Sequence, residues 1–150
     1  MNLTREWIHQ HPLMGRYSSS KMKAQLGNFD LDLPKSGPLQ VKILEIFSPI
    51  EKAIGWRRLW LALAKAQRKL VMEISDKQIQ IQEALIREVD LKACAAEERL
   101  TRHDVMAHLH VLRDQMNAIQ KDSAKHLHLG ATSCFVTDNQ EIIAQTEALS

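Results

Sequence analysis

The sequence is poor in the residues that punctuate, staple or steer a chain. Of its 150 residues only 5 are Gly and 4 are Pro, which leaves few breaks for a fold built on many tight turns. Two cysteines, Cys94 and Cys134, stand 40 positions apart with no CxxC pair. That spacing suits reduced thiols in a cytosol better than a disulfide framework. Twenty basic and 18 acidic residues nearly cancel to a net charge of +2, too small to imply nucleic acid or an acidic surface as partner. The longest apolar run, Leu59 to Ala64, falls far short of the roughly 20 residues needed to span a bilayer, and the start, Met1 to Glu6, has no apolar signal core. The reading is a soluble, cytoplasmic protein without a membrane partner.

What is present is a 45% hydrophobic chain, enough for one domain with its own core. After Ile46 the apolar residues recur at three and four, which predicts an all-α fold. Trp56, Leu59, Trp60, Leu63 and Leu70 mark one stripe of a helix over about 56–71, with Arg57, Arg58, Lys65, Arg68 and Lys69 left to face water. Ser75 and Gln78 have capping-box spacing, Asp90 can cap a next helix, and Thr101 to Asp104 repeats the capping pattern before the stripe Val105, Leu109, Leu112, Met116. A helix is expected over about 102–117. A last helix begins near Ser133 and runs through Phe135, Asn139, Ile142, Ile143 and Thr146, ending at Ser150 without a stop signal, as a longer helix cut short would. Between Lys23 and Glu45 the Gly, Pro and Asp content reads as turns and loop with little apolar surface to bury.

Two clusters carry candidate chemistry. Arg102, His103 and Asp104 put a cation, a proton carrier and a carboxylate at one helix start, where free amides could hold an anionic ligand. His128-Leu129-Gly130-Ala131-Thr132-Ser133 adds a glycine that lets backbone approach a ligand and two hydroxyls at a second helix start. On spacing alone, ordinary surface capping accounts for either cluster and ligand binding is the other reading. The pairs His108/His110 and His126/His128 have the wrong spacing for zinc on a helix, since helical ligand pairs lie four apart. There is no Gly-rich phosphate loop, nucleophile elbow or dinucleotide fingerprint.

Taken in order, Pro12-Leu13 with Gly15-Arg16-Tyr17-Ser18-Ser19, then Trp56 to Ala64, Ile74 to Ile79, Arg102-His103-Asp104-Val105-Met106-Ala107-His108, and His128 to Asn139 resemble adenylosuccinate lyase, a member of the fumarase and aspartase superfamily. The resemblance implies an all-α amino-terminal domain over 1–131 and the first part of a truncated central-bundle helix over 132–150. It implies a cofactor-free, metal-free β-elimination that releases fumarate from adenylosuccinate and from SAICAR in purine nucleotide biosynthesis. Arg16 and Tyr17 would bind the nucleotide phosphate, Arg102, His103, Asp104 and His128 would line the pocket, and Thr132 with Ser133 would hold succinyl carboxylate. The family's acid and base, a histidine and a serine on a mobile loop, come later in the sequence than this chain reaches, so no catalytic residue is assigned here. Family sites are built from three subunits of a homotetramer. The chain departs from the pattern in an insertion over about 23–45 and in a longer Leu109 to Lys125 connection. The alternative reading is a non-catalytic remnant or helical interaction module with at most weak nucleotide binding.

Overall fold

The structure, a computed structural model, describes residues 45–70 and 73–150. The Arg16-Tyr17 segment and the stretch expected as loop over about 23–45, save Glu45, lie outside the described residues. Those described form five helices and no strand: α1 (Pro49–Leu70), α2 (Asp76–Ala84), α3 (Leu91–Thr101), α4 (Asp104–Ile119) and α5 (Ser133–Ala148). None of these helices is long and apolar enough to cross a membrane. Residues Ala53–Ile143 make one compact unit, and the described residues outside it, 45–52 and 144–150, belong to another.

Local chemistry sets the helix starts. Pro49 opens α1 where its missing N–H costs nothing, and the Ser48 hydroxyl accepts from the Glu51 amide at 3.2 Å. Ser75 forms a complete capping box with Gln78, each side chain accepting from the other's backbone N–H. Asp90 caps α3 by accepting from the Ala93 amide at 2.9 Å. The expected cap at Thr101 is different: Thr101 is the last residue of α3, Arg102 turns the chain in the left-handed region at φ 52°, and His103 is the N-cap of α4 without a side-chain cap bond. The α3–α4 connection is thus a two-residue corner. The Thr101 hydroxyl bridges it by meeting the carbonyls of Glu97 and His103.

Packing of the 53–143 unit centres on α1. Trp56 and Trp60, each 1% exposed, join Ile81, Val105, Leu112, Met116, Ala124 and Val136 in the main core. At about 25 cal/mol per Å², burying roughly 200 Å² of indole stabilises by on the order of 5 kcal/mol per ring, an upper bound because the unfolded chain already hides some of it. A smaller cluster, Leu61, Ala64, Ile74 and Ile79, joins α1 to the start of α2. Gly55 lets α5 approach, since a Cβ there would stand 1.7 Å from the Gln140 side-chain oxygen.

Three sequence expectations change. Leu70 is exposed, beyond the end of the stripe that Trp56 and Trp60 begin. On α5 the buried positions are Val136, Gln140 and Ala144, while Ile142 and Ile143 face outward. Arg57, expected in water, is 1% exposed. Its guanidinium donates to the carbonyls of Leu85 and Glu88 and to Gln115 Oε1 at 2.9 Å, and so joins α1 to the end of α2 and to α4. Burial holds its pKa below the usual arginine value, opposed by the nearby Cys94 and Glu88. The same burial pushes the Cys94 thiol up to about 11. That thiol and exposed Cys134 are both free.

Candidate functional site

The candidate residues sit on two helix starts and the irregular segment 120–131 between α4 and α5. This segment is a succession of turns, closed by Ser123 N–H to Gln120 O, Leu127 N–H to Ala124 O, Leu129 N–H to His126 O and Ala131 N–H to His128 O. Asp122, His128 and Gly130 hold it in the left-handed region, at φ 64°, 61° and 72°. Glycine and aspartate adopt that conformation readily, whereas histidine does so at a cost on the order of 1 kcal/mol or more. Side chains from the helices pin the segment down. Gln82 of α2 meets buried His126 at 2.9 Å, Gln67 of α1 donates to the Leu129 carbonyl at 2.6 Å, and Gln78 of α2 reaches the Asp122 carbonyl at 3.4 Å.

His128 is the fixed point of the site. Trp60 Nε1 donates to His128 Nδ1 at 2.9 Å, and the two rings meet edge to face, 5.9 Å between centroids and 85° apart in plane. Burial holds the His128 pKa below the ordinary 6.5, and the charge of His103 acts on it in the same sense. His103, at the start of α4, is thus an electrostatic neighbour of His128, which precedes the start of α5. Asp104 Oδ1 lies 3.5 Å from His103 Nδ1 and accepts from the Val105 amide at 2.7 Å. Arg102 is exposed at the corner. Ser133 is the first residue of α5, half-buried, with exposed Thr132 just ahead of it. Arg16 and Tyr17 lie outside the described residues.

Histidines singled out only by number have other partners. His110 Nδ1 meets Glu97 Oε1 at 2.7 Å and joins α4 to α3, and the His108 ring lies edge-on to Trp56 with centroids 5.2 Å apart. No group of three metal-ligating side chains occurs among the described residues. Sequence reasoning read Trp60 as core alone and passed over Gln67 and Gln82. Nothing local could have revealed them, because Trp60 and His128 are 68 positions apart.

Chemically, the site offers an imidazole of fixed orientation, an exposed guanidinium, a carboxylate, two hydroxyls and the starts of two sixteen-residue helices. Donors predominate, so the arrangement suits an oxyanionic ligand. Among the described residues, fold and site together define an all-α domain with polar groups gathered at two helix starts. Over 142 residues, 95% of the chain, the sequence is 35% identical to the adenylosuccinate lyase of Schistosoma mansoni, of which the match covers 24%. It is 34% identical over 135 residues to that of Saccharomyces cerevisiae and 33% identical over 141 residues to that of Schizosaccharomyces pombe, covering 88% and 92% of the chain. No family model matches. Along the segment it shares with these proteins the chain belongs to the adenylosuccinate lyase family, and it spans about a quarter of their length.

Proposed function

We propose that the chain is an amino-terminal portion of an adenylosuccinate lyase that holds part of the substrate site and does not complete the reaction alone. The observation that carries this reading is the 35% identity to an adenylosuccinate lyase over 95% of the chain, along which the two helix-start clusters lie. Adenylosuccinate and SAICAR each carry a phosphate and the carboxylates of a succinyl group, and donors at helix starts are suited to all of these. In this reading Arg102 and His103 contact the ligand, Asp104 orients His103, His128 lines the pocket, and Thr132 and Ser133 hold a succinyl carboxylate. Arg16 and Tyr17 bind the phosphate. Residues 132–150 are the first piece of a central bundle helix, the location is cytoplasmic, and the homotetramer of the family is where the site becomes whole.

The β-elimination needs a base to take a proton from the succinyl carbon, an acid to protonate the departing nitrogen, and donors to stabilise the carbanion. This chain supplies donors. The test is a fumarate absorbance assay on purified residues 1–150 with adenylosuccinate. We expect no turnover, and a rate in the usual enzyme range of about 1 to 1000 per second would overturn the proposal.

A further inference from the structure

We infer that Trp60 is a positioning residue: its indole N–H locks His128 as the neutral tautomer with the proton on Nε2, which makes His128 a hydrogen-bond donor in the site and bars it from acid or base chemistry. The role in the site rests on the function proposed above, but the tautomer does not. Indole nitrogen only donates, so the 2.9 Å contact from Trp60 Nε1 requires a bare lone pair on His128 Nδ1. A neutral imidazole with Nδ1 bare carries its proton on Nε2. The second nitrogen is then the ring's one remaining polar atom, and it carries the N–H.

Three further observations agree. The edge-to-face contact of the two rings, 85° apart, holds the imidazole plane as well as the bond. His128 keeps a left-handed backbone at φ 61°, a conformation that a histidine sustains when its surroundings impose it. The Gln67 bond to the Leu129 carbonyl, also from α1, fixes the next residue and so the direction from which the ring enters. Protonating His128 would set two N–H groups head to head at Trp60. The other titratable group that acts on the ring is His103, whose charge, when present, opposes a second one; Asp104 lies beside His103, and exposed Arg102 adjoins it. No route for a proton onto Nδ1 exists without breaking the bond to α1. A donor of fixed direction at a helix start serves a carboxylate or phosphate oxygen, whereas a proton-transfer group must be able to change state.

The test is a two-bond nitrogen–proton correlation spectrum of the histidine-labelled chain, with His128 assigned by the signal lost in His128→Gln. We expect a pure Nε2–H tautomer that stays neutral as the pH is lowered through the ordinary 6.5. In Trp60→Phe, which keeps an apolar ring but loses the donor, His128 should become a tautomer mixture and titrate closer to that value. An Nδ1–H tautomer in the wild type, ordinary titration there, or an unchanged tautomer in a folded Trp60→Phe would each overturn the inference. Should Trp60→Phe fail to fold, the wild-type spectrum decides alone. A calorimetric titration with AMP, run separately, bears on the proposed function: absent binding with the expected tautomer would refute that reading and leave the Trp60 lock standing.

Discussion

Replacing Arg57 with methionine separates two pictures of α1 that differ by a measurable amount. Were Arg57 on the water-facing side, as helical spacing suggests, Arg57→Met would change stability by less than about 0.5 kcal/mol. In the structure the guanidinium is buried and makes three hydrogen bonds, to the carbonyls of Leu85 and Glu88 and to Gln115 Oε1. Bonds to a charged donor are worth roughly 1.5 to 3 kcal/mol each, so the gross loss is about 4 to 9 kcal/mol. Against this stands the cost of keeping the cation out of water, several kcal/mol, which methionine avoids. Two acceptors also keep another donor: Leu85 O retains the Glu88 amide, and Glu88 O retains Gln115 Nε2 at 2.8 Å. Gln115 Oε1 alone loses its partner. The net expectation is a destabilisation of about 2 to 4 kcal/mol. Urea unfolding followed by far-ultraviolet circular dichroism measures it as a lower midpoint at constant slope. A change within about 0.5 kcal/mol for Arg57→Met would refute the buried clasp.

Leu112 is fully buried in the main core, so Leu112→Ala should cost about 2 to 5 kcal/mol in the same urea assay, and a smaller loss would mean that the core is loosely filled. Gly55→Ala should destabilise the wild type by forcing Gln140 aside, yet stabilise a Gln140→Ala background by up to about 1 kcal/mol of helix propensity; equal effects in both backgrounds would contradict the close approach of α5. The pKa values of His126 and His128 are both lowered by burial, so below 6.5 the unfolded chain binds protons that the folded chain refuses. Stability should therefore be full above 6.5 and fall as the pH drops from there through the lowered folded values, by at most about 1.4 kcal/mol per pH unit per ring. Urea midpoints that stay level across that window would show that neither ring is held neutral.

The helix starts were legible because their chemistry is local. Ser75 with Gln78, and Asp90 with the amide three residues on, need no tertiary partner, and the structure has both. The α3–α4 corner was misread by two residues because Thr101 and His103 offer competing termini and only the left-handed Arg102 decides between them. Periodicity failed wherever the buried residue is polar or small. On α5 it favoured Ile142 and Ile143 over Gln140 and Ala144, although the actual buried positions keep a spacing of four from Val136. On α1 it assigned Arg57 to water, because the acceptors that make its burial tolerable come from 28 to 58 residues away. The site residues stood out as motifs, but the bond that orients His128 comes from a tryptophan whose apolar body already explained its place in the core.

The most direct test of the proposed function is a calorimetric titration of adenylosuccinate into the wild-type chain and into Ser133→Ala. Loss of one charge-assisted hydrogen bond, worth roughly 1.5 to 3 kcal/mol, corresponds to about ten- to hundredfold in affinity. We expect saturable binding to the wild type, weakened by that factor in Ser133→Ala and with no fumarate released. Equal affinities for the two chains, or no heat of binding to either, would contradict a substrate-holding role for the paired helix starts.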